Sequence, residues 1–307
     1  MLDEFFNNYA AYEYPLAFAQ LFLAMLGMGA LLTPRDFLLE VKKPTGLMVG
    51  FGFQWLLVPF LAYAFGVLLP IPAGIAVGLI FVAVVPGGTM SNILTLFGRG
   101  NIALSITLTS VTTVAALVVT PLLLELLVSA EYLSDDFSMP VGRIARDIFG
   151  SLIVPLMLGM LMRSLTTTYY AAQLAKWSIR LSVLLILLIV VGSSGSGRLS
   201  FEGYGFVGIA VLVLFMLVIV ASSMLVNKVV GLASGDGLAI TVEAVFRNVS
   251  LAIALKATVF PAQPGVLDPI GDGVLFVALL YGGMSMFVSL IPVTIHRRSF
   301  RRAADAV

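Results

Sequence analysis

Apolar residues run through this chain in long blocks, and the polar residues gather in the short gaps between them. The blocks cover residues 15–32, 45–69, 72–96, 102–128, 140–162, 171–192, 203–230, 237–260 and 270–295. A helix needs about 20 apolar residues to cross about 30 Å of hydrocarbon. The pattern therefore predicts an all-α polytopic membrane protein of nine spans. Residues 1–307 read as one transmembrane domain with no soluble domain attached.

Two blocks carry polar residues at mid-membrane depth. The third contains Pro86-Gly87-Gly88, then Thr89, Ser91 and Asn92. Proline removes a donor and clashes with the preceding turn, and glycine loosens the backbone. Backbone groups freed in this way are tolerated only inside protein or beside a water-filled cavity. A break at residues 86–88 is expected, against the plainer reading of a kink with glycines for close packing. The eighth block holds Glu243, Arg247 and Asn248. It has no proline or glycine at that depth, so the residues alone predict no break there. Interrupted segments in two corresponding parts of a chain point to a transporter's binding site.

Oxygen-bearing side chains follow the first break. Ser105 and Thr109 stand four apart, on one helical face, and Thr112 and Thr113 roughly extend it. Hydroxyl and amide oxygens suit a hard cation such as Na⁺. Each of them could equally bond its own helix or a neighbour. Glu243 adds a carboxylate. A buried charge is costly unless paired or functional, so it either neutralises Arg247 as an i,i+4 pair or faces an ion and substrate site. Lys256 lies nearer a membrane surface and is expected to snorkel. Gln54 is a helix–helix contact or a further ligand.

Composition narrows the class. The chain is 60% hydrophobic and 11% charged, with mean hydropathy +1.08. Its net charge of +1 points to neither a nucleic-acid nor an acidic partner. It has no cysteine, and His296 is its only histidine, which excludes thiol catalysis and leaves little for a transition metal. Residues 1–14 lack a basic region, so no cleavable leader is expected.

Basic residues set the orientation. Arg35, Lys42, Lys43, Arg99, Lys176, Lys228, Arg297, Arg298, Arg301 and Arg302 fall on one side of a nine-span chain. Glu131, Asp135 and Asp136 fall on the other, with only Arg143, Arg146 and Arg198 near them. The C-terminus is then cytoplasmic and the N-terminus outside.

Two enzyme-like patterns are set aside. Gly192-Ser193-Ser194-Gly195 resembles an intramembrane serine protease motif, but His296 ends on the opposite side. Asp236 and Asp272 lie in Gly-Asp-Gly turns on opposite sides and suit caps. No enzyme activity is expected.

The run PGGTMSNILTLFGRGNIALSITLTSVTT, with GMGALLTPRDF before it and TVEAVFRNVSLA after it, resembles the bile acid:sodium symporter family. The similarity reads from the first span to the ninth, in the nine-span form. The resemblance implies two inverted repeats, with a core domain (spans 2–4 and 7–9) and a panel domain (spans 1, 5 and 6). Two broken helices, spans three and eight, cross in the core. It implies a sodium site of Ser91, Asn92, Ser105, Thr109 and Glu243. It implies a second site of Gln54, Glu243 and main-chain oxygens near Ala244 and Phe246. That second site expects a glutamine where this chain has Arg247. A guanidinium has five donors and no acceptor, so coupling to at most one Na⁺ is expected. Thr89, Asn248 and Arg247 are expected at the substrate.

The expected function is secondary transport of an organic anion, bile-acid-like, pantoate-like or a keto acid, across the plasma membrane. Na⁺ is the expected ion, with no organic cofactor and no obligate protein partner. The alternatives are a sodium-independent facilitator or exchanger in which Glu243 and Arg247 replace sodium, and a receptor that binds without moving its ligand.

Overall fold

The computed structural model describes residues 6, 8–33, 44–88, 90–129, 132–133, 137–199, 201–263 and 265–305, without the side chains of 201–203 and 300–305. Thr89, the cations Arg35, Lys42 and Lys43, the acids Glu131, Asp135 and Asp136, and the side chains of Arg301 and Arg302 lie outside the described residues.

Most of the described chain is helical. In order come α1 (Tyr9–Gly29), α2 (Pro44–Leu68), α3 (Ala73–Ala83), α4 (Met90–Gly98) and α5 (Ile102–Val128). Then follow α6 (Val141–Leu165), α7 (Thr168–Gly195), α8 (Phe201–Val230), α9 (Ser234–Val245), α10 (Val249–Val259) and α11 (Pro269–Asp305). Six of these, α2, α5, α6, α7, α8 and α11, are long and apolar enough to cross a membrane; α3 and α10 are shorter apolar helices. In α1, Glu13, Gln20 and the tyrosines Tyr12 and Tyr14 dilute the apolar run.

Proline shapes several spans. A π-helical turn, Phe53–Leu57, precedes Pro59 in α2. Another, Phe149–Ile153, precedes Pro155 in α6. Each proline lacks an N–H, so the missing i→i−4 bond is absorbed by a wider turn. The first of these turns carries Gln54.

The third apolar block is broken, as Pro86–Gly88 predicts: α3 ends at Ala83 and α4 starts at Met90. The eighth block is broken too, between Val245 and Val249, where the residues alone predict continuity. The two breaks meet. Gly87 and Arg247 form an antiparallel bridge. Gly88 N–H donates to Phe246 O at 2.8 Å, and Asn248 N–H donates to Pro86 O at 2.8 Å. Each break thus satisfies backbone groups the other has freed, which a buried backbone requires. Asn248 also caps α10, its Oδ1 accepting from Leu251 N–H at 3.1 Å. That N-cap residue was the local signal for the second break.

Gly87 is fixed by close approach: a Cβ there would overlap the Glu243 carboxyl group. At Gly52 a Cβ would meet nothing within 4 Å. Gly87→Ala should therefore lower stability by about 2 kcal/mol. Gly52→Ala should leave it level or slightly raised. Thermal unfolding of the two variants in detergent checks this.

The helices pack in two groups. α1, α6 and α7 lie against one another, and α2 to α5 with α8 to α11 form the larger group. The groups meet where α10 packs on α1 and on the first turns of α6, and where α5 packs on α6. The main neighbours of α7 are α1 and α6 alone.

Candidate functional site

Glu243 lies in the last turn of α9, fully buried, just before the second break. Three expected partners bond it, and a fourth, Asn92, bonds two of those three. Ser91 Oγ donates to Glu243 Oε2 and also lies 2.6 Å from Gly88 O. Thr109 Oγ1 donates to Glu243 Oε1 at 2.5 Å. Ser105 Oγ reaches Glu243 Oε2 at 3.3 Å and Asn92 Oδ1 at 2.8 Å. Thr109 Oγ1 also lies 3.4 Å from Asn92 Oδ1. All five residues, from α4, α5 and α9, therefore form one hydrogen-bonded cluster of oxygens. Thr95, which sequence reading missed, joins it through Ser105 Oγ at 3.4 Å. It stands four residues after Ser91, so its helical spacing could have shown it.

A hydroxyl donates one proton and keeps two lone pairs. These hydroxyls donate to the carboxylate here, and by rotating they can offer oxygen to a cation instead. One carboxylate with neutral oxygens suits a hard monovalent cation in charge and donor type. Thr112 takes the plainer reading, bonding Leu108 O at 2.8 Å.

Arg247 does not pair with Glu243. No ion pair within 4.0 Å joins them among the described residues. The helix ends between them, so the i,i+4 geometry is lost. The guanidinium instead turns to the other break. Nη1 donates to Gln54 Oε1 and to Val85 O, both at 3.1 Å, and Nη2 donates to Gln54 O at 3.3 Å. Gln54 and Arg247 are both buried, at 0% and 2% exposure. Gln54, Phe246 and Arg247 thus sit together at the meeting of the breaks, and Ala244 precedes them in α9. Tyr281 Oη anchors that helix end on Val245 O at 2.7 Å. Asn248 is half-buried, and its Nδ2 faces Met25 Sδ of α1 at 3.6 Å.

Lys256 does not snorkel. It is 1% exposed and ion-paired with Glu13 of α1. Asp272 does more than cap a turn: Oδ2 accepts from Asp268 N–H at 3.0 Å, and Oδ1 lies 3.5 Å from Arg198 Nη1. The Lys256 expectation gave way, and Asp272 gained a partner beyond its turn, because a buried charge needs a partner and the fold brings one from elsewhere in the chain. The set-aside enzyme motifs have other partners as well. Ser193 Oγ donates to Tyr9 Oη at 2.9 Å, and His296 Nδ1 lies 2.9 Å from Gly98 O.

A profile of the sodium bile acid symporter family matches residues 18–198. It stops short of the Thr241–Ala252 motif, so the resemblance it covers ends before the ninth span. The uncharacterized sodium-dependent transporter YocS of Bacillus subtilis (strain 168) is 35% identical over 154 residues, 50% of this chain and 45% of that protein. The probable chloroplastic sodium/metabolite cotransporter BASS1 of Arabidopsis thaliana is 45% identical over 101 residues, 33% of this chain and 25% of that protein. The ileal sodium/bile acid cotransporter of Homo sapiens is 31% identical over 170 residues, 55% of this chain and 49% of that protein. The chain thus spans half or less of the length of these relatives. Since the profile covers more than half of this sequence and includes the first break, the chain belongs to the sodium bile acid symporter family.

Proposed function

We propose that this chain is a secondary transporter that carries an organic anion across the plasma membrane together with one Na⁺. The observation that carries the reading is the ring of Ser91, Asn92, Ser105 and Thr109 oxygens around the buried Glu243 carboxylate, beside two clasped helix breaks. The names of the relatives, sodium/bile acid and sodium/metabolite cotransporters, agree with it.

In this reading the chain makes nine spans in two inverted repeats, α3–α4 and α9–α10 each serving as one broken span. The N-terminus is outside and the C-terminus cytoplasmic. The core comprises α2 to α5 and α8 to α11, the panel α1, α6 and α7, and rocking one against the other exposes the site to each side in turn. Sodium is held by Ser91, Asn92, Ser105, Thr109 and Glu243. The anion, bile-acid-like, pantoate-like or a keto acid, lies beside Thr89, Asn248 and Arg247, where helix termini offer N–H groups. Arg247 takes the place of a second sodium, because its guanidinium holds the Gln54 and Val85 oxygens that a cation would need.

The same hydrogen bonds favour a second reading, a sodium-independent facilitator in which Arg247 and Glu243 stand in for ions altogether. A sodium titration of the purified protein at constant ionic strength separates them. Trp55 is buried beside Gln54 and reports by fluorescence in a Trp177→Phe background. The symporter gives a saturable response with a Hill coefficient near 1, and a thermal shift worth about 2.7 kcal/mol at a hundredfold excess over Kd. A flat titration in every salt sinks the symporter reading.

A further inference from the structure

Charged residues make up 11% of this chain, yet four of them are buried together far from Glu243. Glu13, Arg198, Lys256 and Asp272 are all at most 5% exposed. Lys256 Nζ pairs with Glu13 Oε1. Arg198 Nη1 lies 3.9 Å from Glu13 Oε2 and 3.5 Å from Asp272 Oδ1. Arg198 Nη2 also donates to Gln263 O at 2.6 Å and to Val266 O at 3.2 Å. Two acids and two bases cancel, so the cluster is neutral as a whole.

Its placement says what it does. Glu13 belongs to α1, in the smaller helix group, and Arg198 to the segment after α7 of that group. Lys256 lies on α10 and Asp272 in the first turn of α11, in the larger group. The cluster therefore bridges the two groups at one end of their seam. Thr258 Oγ1 of α10 adds a bond to Asp147 Oδ2 of α6 at 2.7 Å. Deeper in the seam the links are neutral and sparse: Gln20 Nε2 of α1 donates to Ser250 Oγ of α10 at 2.9 Å, and Gln20 Oε1 has no partner. The helix ends on the opposite side have no such bridge among the described residues.

We propose that Glu13, Arg198, Lys256 and Asp272 form a charge latch that locks the seam between the two helix groups shut on the outer side of the membrane. A neutral cluster of paired charges is suited to this role. Closed, it excludes water and each charge has a partner; open, every member regains water, so neither state strands a charge. Breaking one pair in the closed state leaves an uncompensated buried charge, and the seam opens. The latch rests on the alternating-access reading above for what it gates.

The chain has no cysteine, so Ser250→Cys gives a single thiol below the latch, on the face of α10 that meets Gln20. In right-side-out vesicles, its reaction with a membrane-impermeant maleimide added outside measures outward opening. Glu13→Gln should speed that labelling by about tenfold or more, as should Arg198→Gln. Glu13→Gln/Lys256→Gln removes one acid with one base and leaves Arg198 with Asp272, so it strands no charge; it should fold even where the single variants fail, and label near the parent rate. A labelling rate unchanged in folded single variants, or a double variant that labels about tenfold faster than the parent, overturns the latch, whatever happens to the melting temperature. Sodium-driven uptake of taurocholate and pyruvate in the same vesicles is read separately. Faster labelling in vesicles whose labelling and uptake both ignore sodium supports the latch and counts against the symporter.

Discussion

Glu243→Gln should remove the sodium response that the proposed function requires. The amide is the same shape as the carboxylate, so the ring of Ser91, Ser105, Thr109 and Asn92 is kept and the clasp of the two breaks is untouched. What goes is the one negative charge that balances a cation in a buried site. Sodium affinity should fall at least about a hundredfold, roughly 2.7 kcal/mol. Direct titration of the purified variant measures it. A variant that still saturates at the parent's sodium concentration would mean the ring does not hold the ion. The parent protein without sodium should meanwhile be less stable than Glu243→Gln in the same buffer, because burying an unbalanced carboxylate is costly.

Arg247→Gln should gain a sodium ion if the guanidinium stands in an ion's place. With the guanidinium gone, Gln54 Oε1, Gln54 O and Val85 O lose their donor. Three buried oxygens without partners, beside Glu243, are a site for a hard cation. The Hill coefficient for sodium should rise from near 1 toward 2. In the absence of sodium the variant should lose about 3 kcal/mol of stability, since oxygens that were paired are stranded in the interior. Sodium should restore much of that loss. A variant that is neither destabilised without sodium nor more cooperative with it would show that Arg247 does not stand in an ion's place.

The first break was legible because its cause is local: Pro86, Gly87 and Gly88 cannot continue a helix inside a membrane. The second was not, because nothing between Val245 and Val249 forbids a helix. It is imposed by the partner break, through the Gly88–Phe246 and Asn248–Pro86 hydrogen bonds, and only the N-cap propensity of Asn248 hints at it. The oxygen ring was legible for a related reason. Ser91 and Asn92 sit at a break, Ser105 and Thr109 share a helical face, and one carboxylate lies at matching depth. The partners of Arg247 and Lys256 were not legible from the pattern alone. Lys256 was expected at the membrane surface, and Arg247 stood either against Glu243 or at an ion and substrate site; only the family resemblance put Gln54 near it. Each instead found Gln54 or Glu13 on a helix about 190 to 240 residues earlier in sequence, a pairing that pattern along the chain does not encode.

Arg247 is held by three hydrogen bonds to Gln54 and Val85, and so it is a positive charge that never leaves the protein. In the proposed cycle a second sodium would be carried across and released each time, whereas the guanidinium would make the return trip with the helices. With one sodium and one monovalent anion aboard, the travelling load is electrically neutral. Such a carrier draws on the sodium gradient and takes nothing from membrane voltage, which is worth about 2.3 kcal/mol per charge at 100 mV. With the proposed coupling it would keep the same uptake in a cell whose membrane has depolarised.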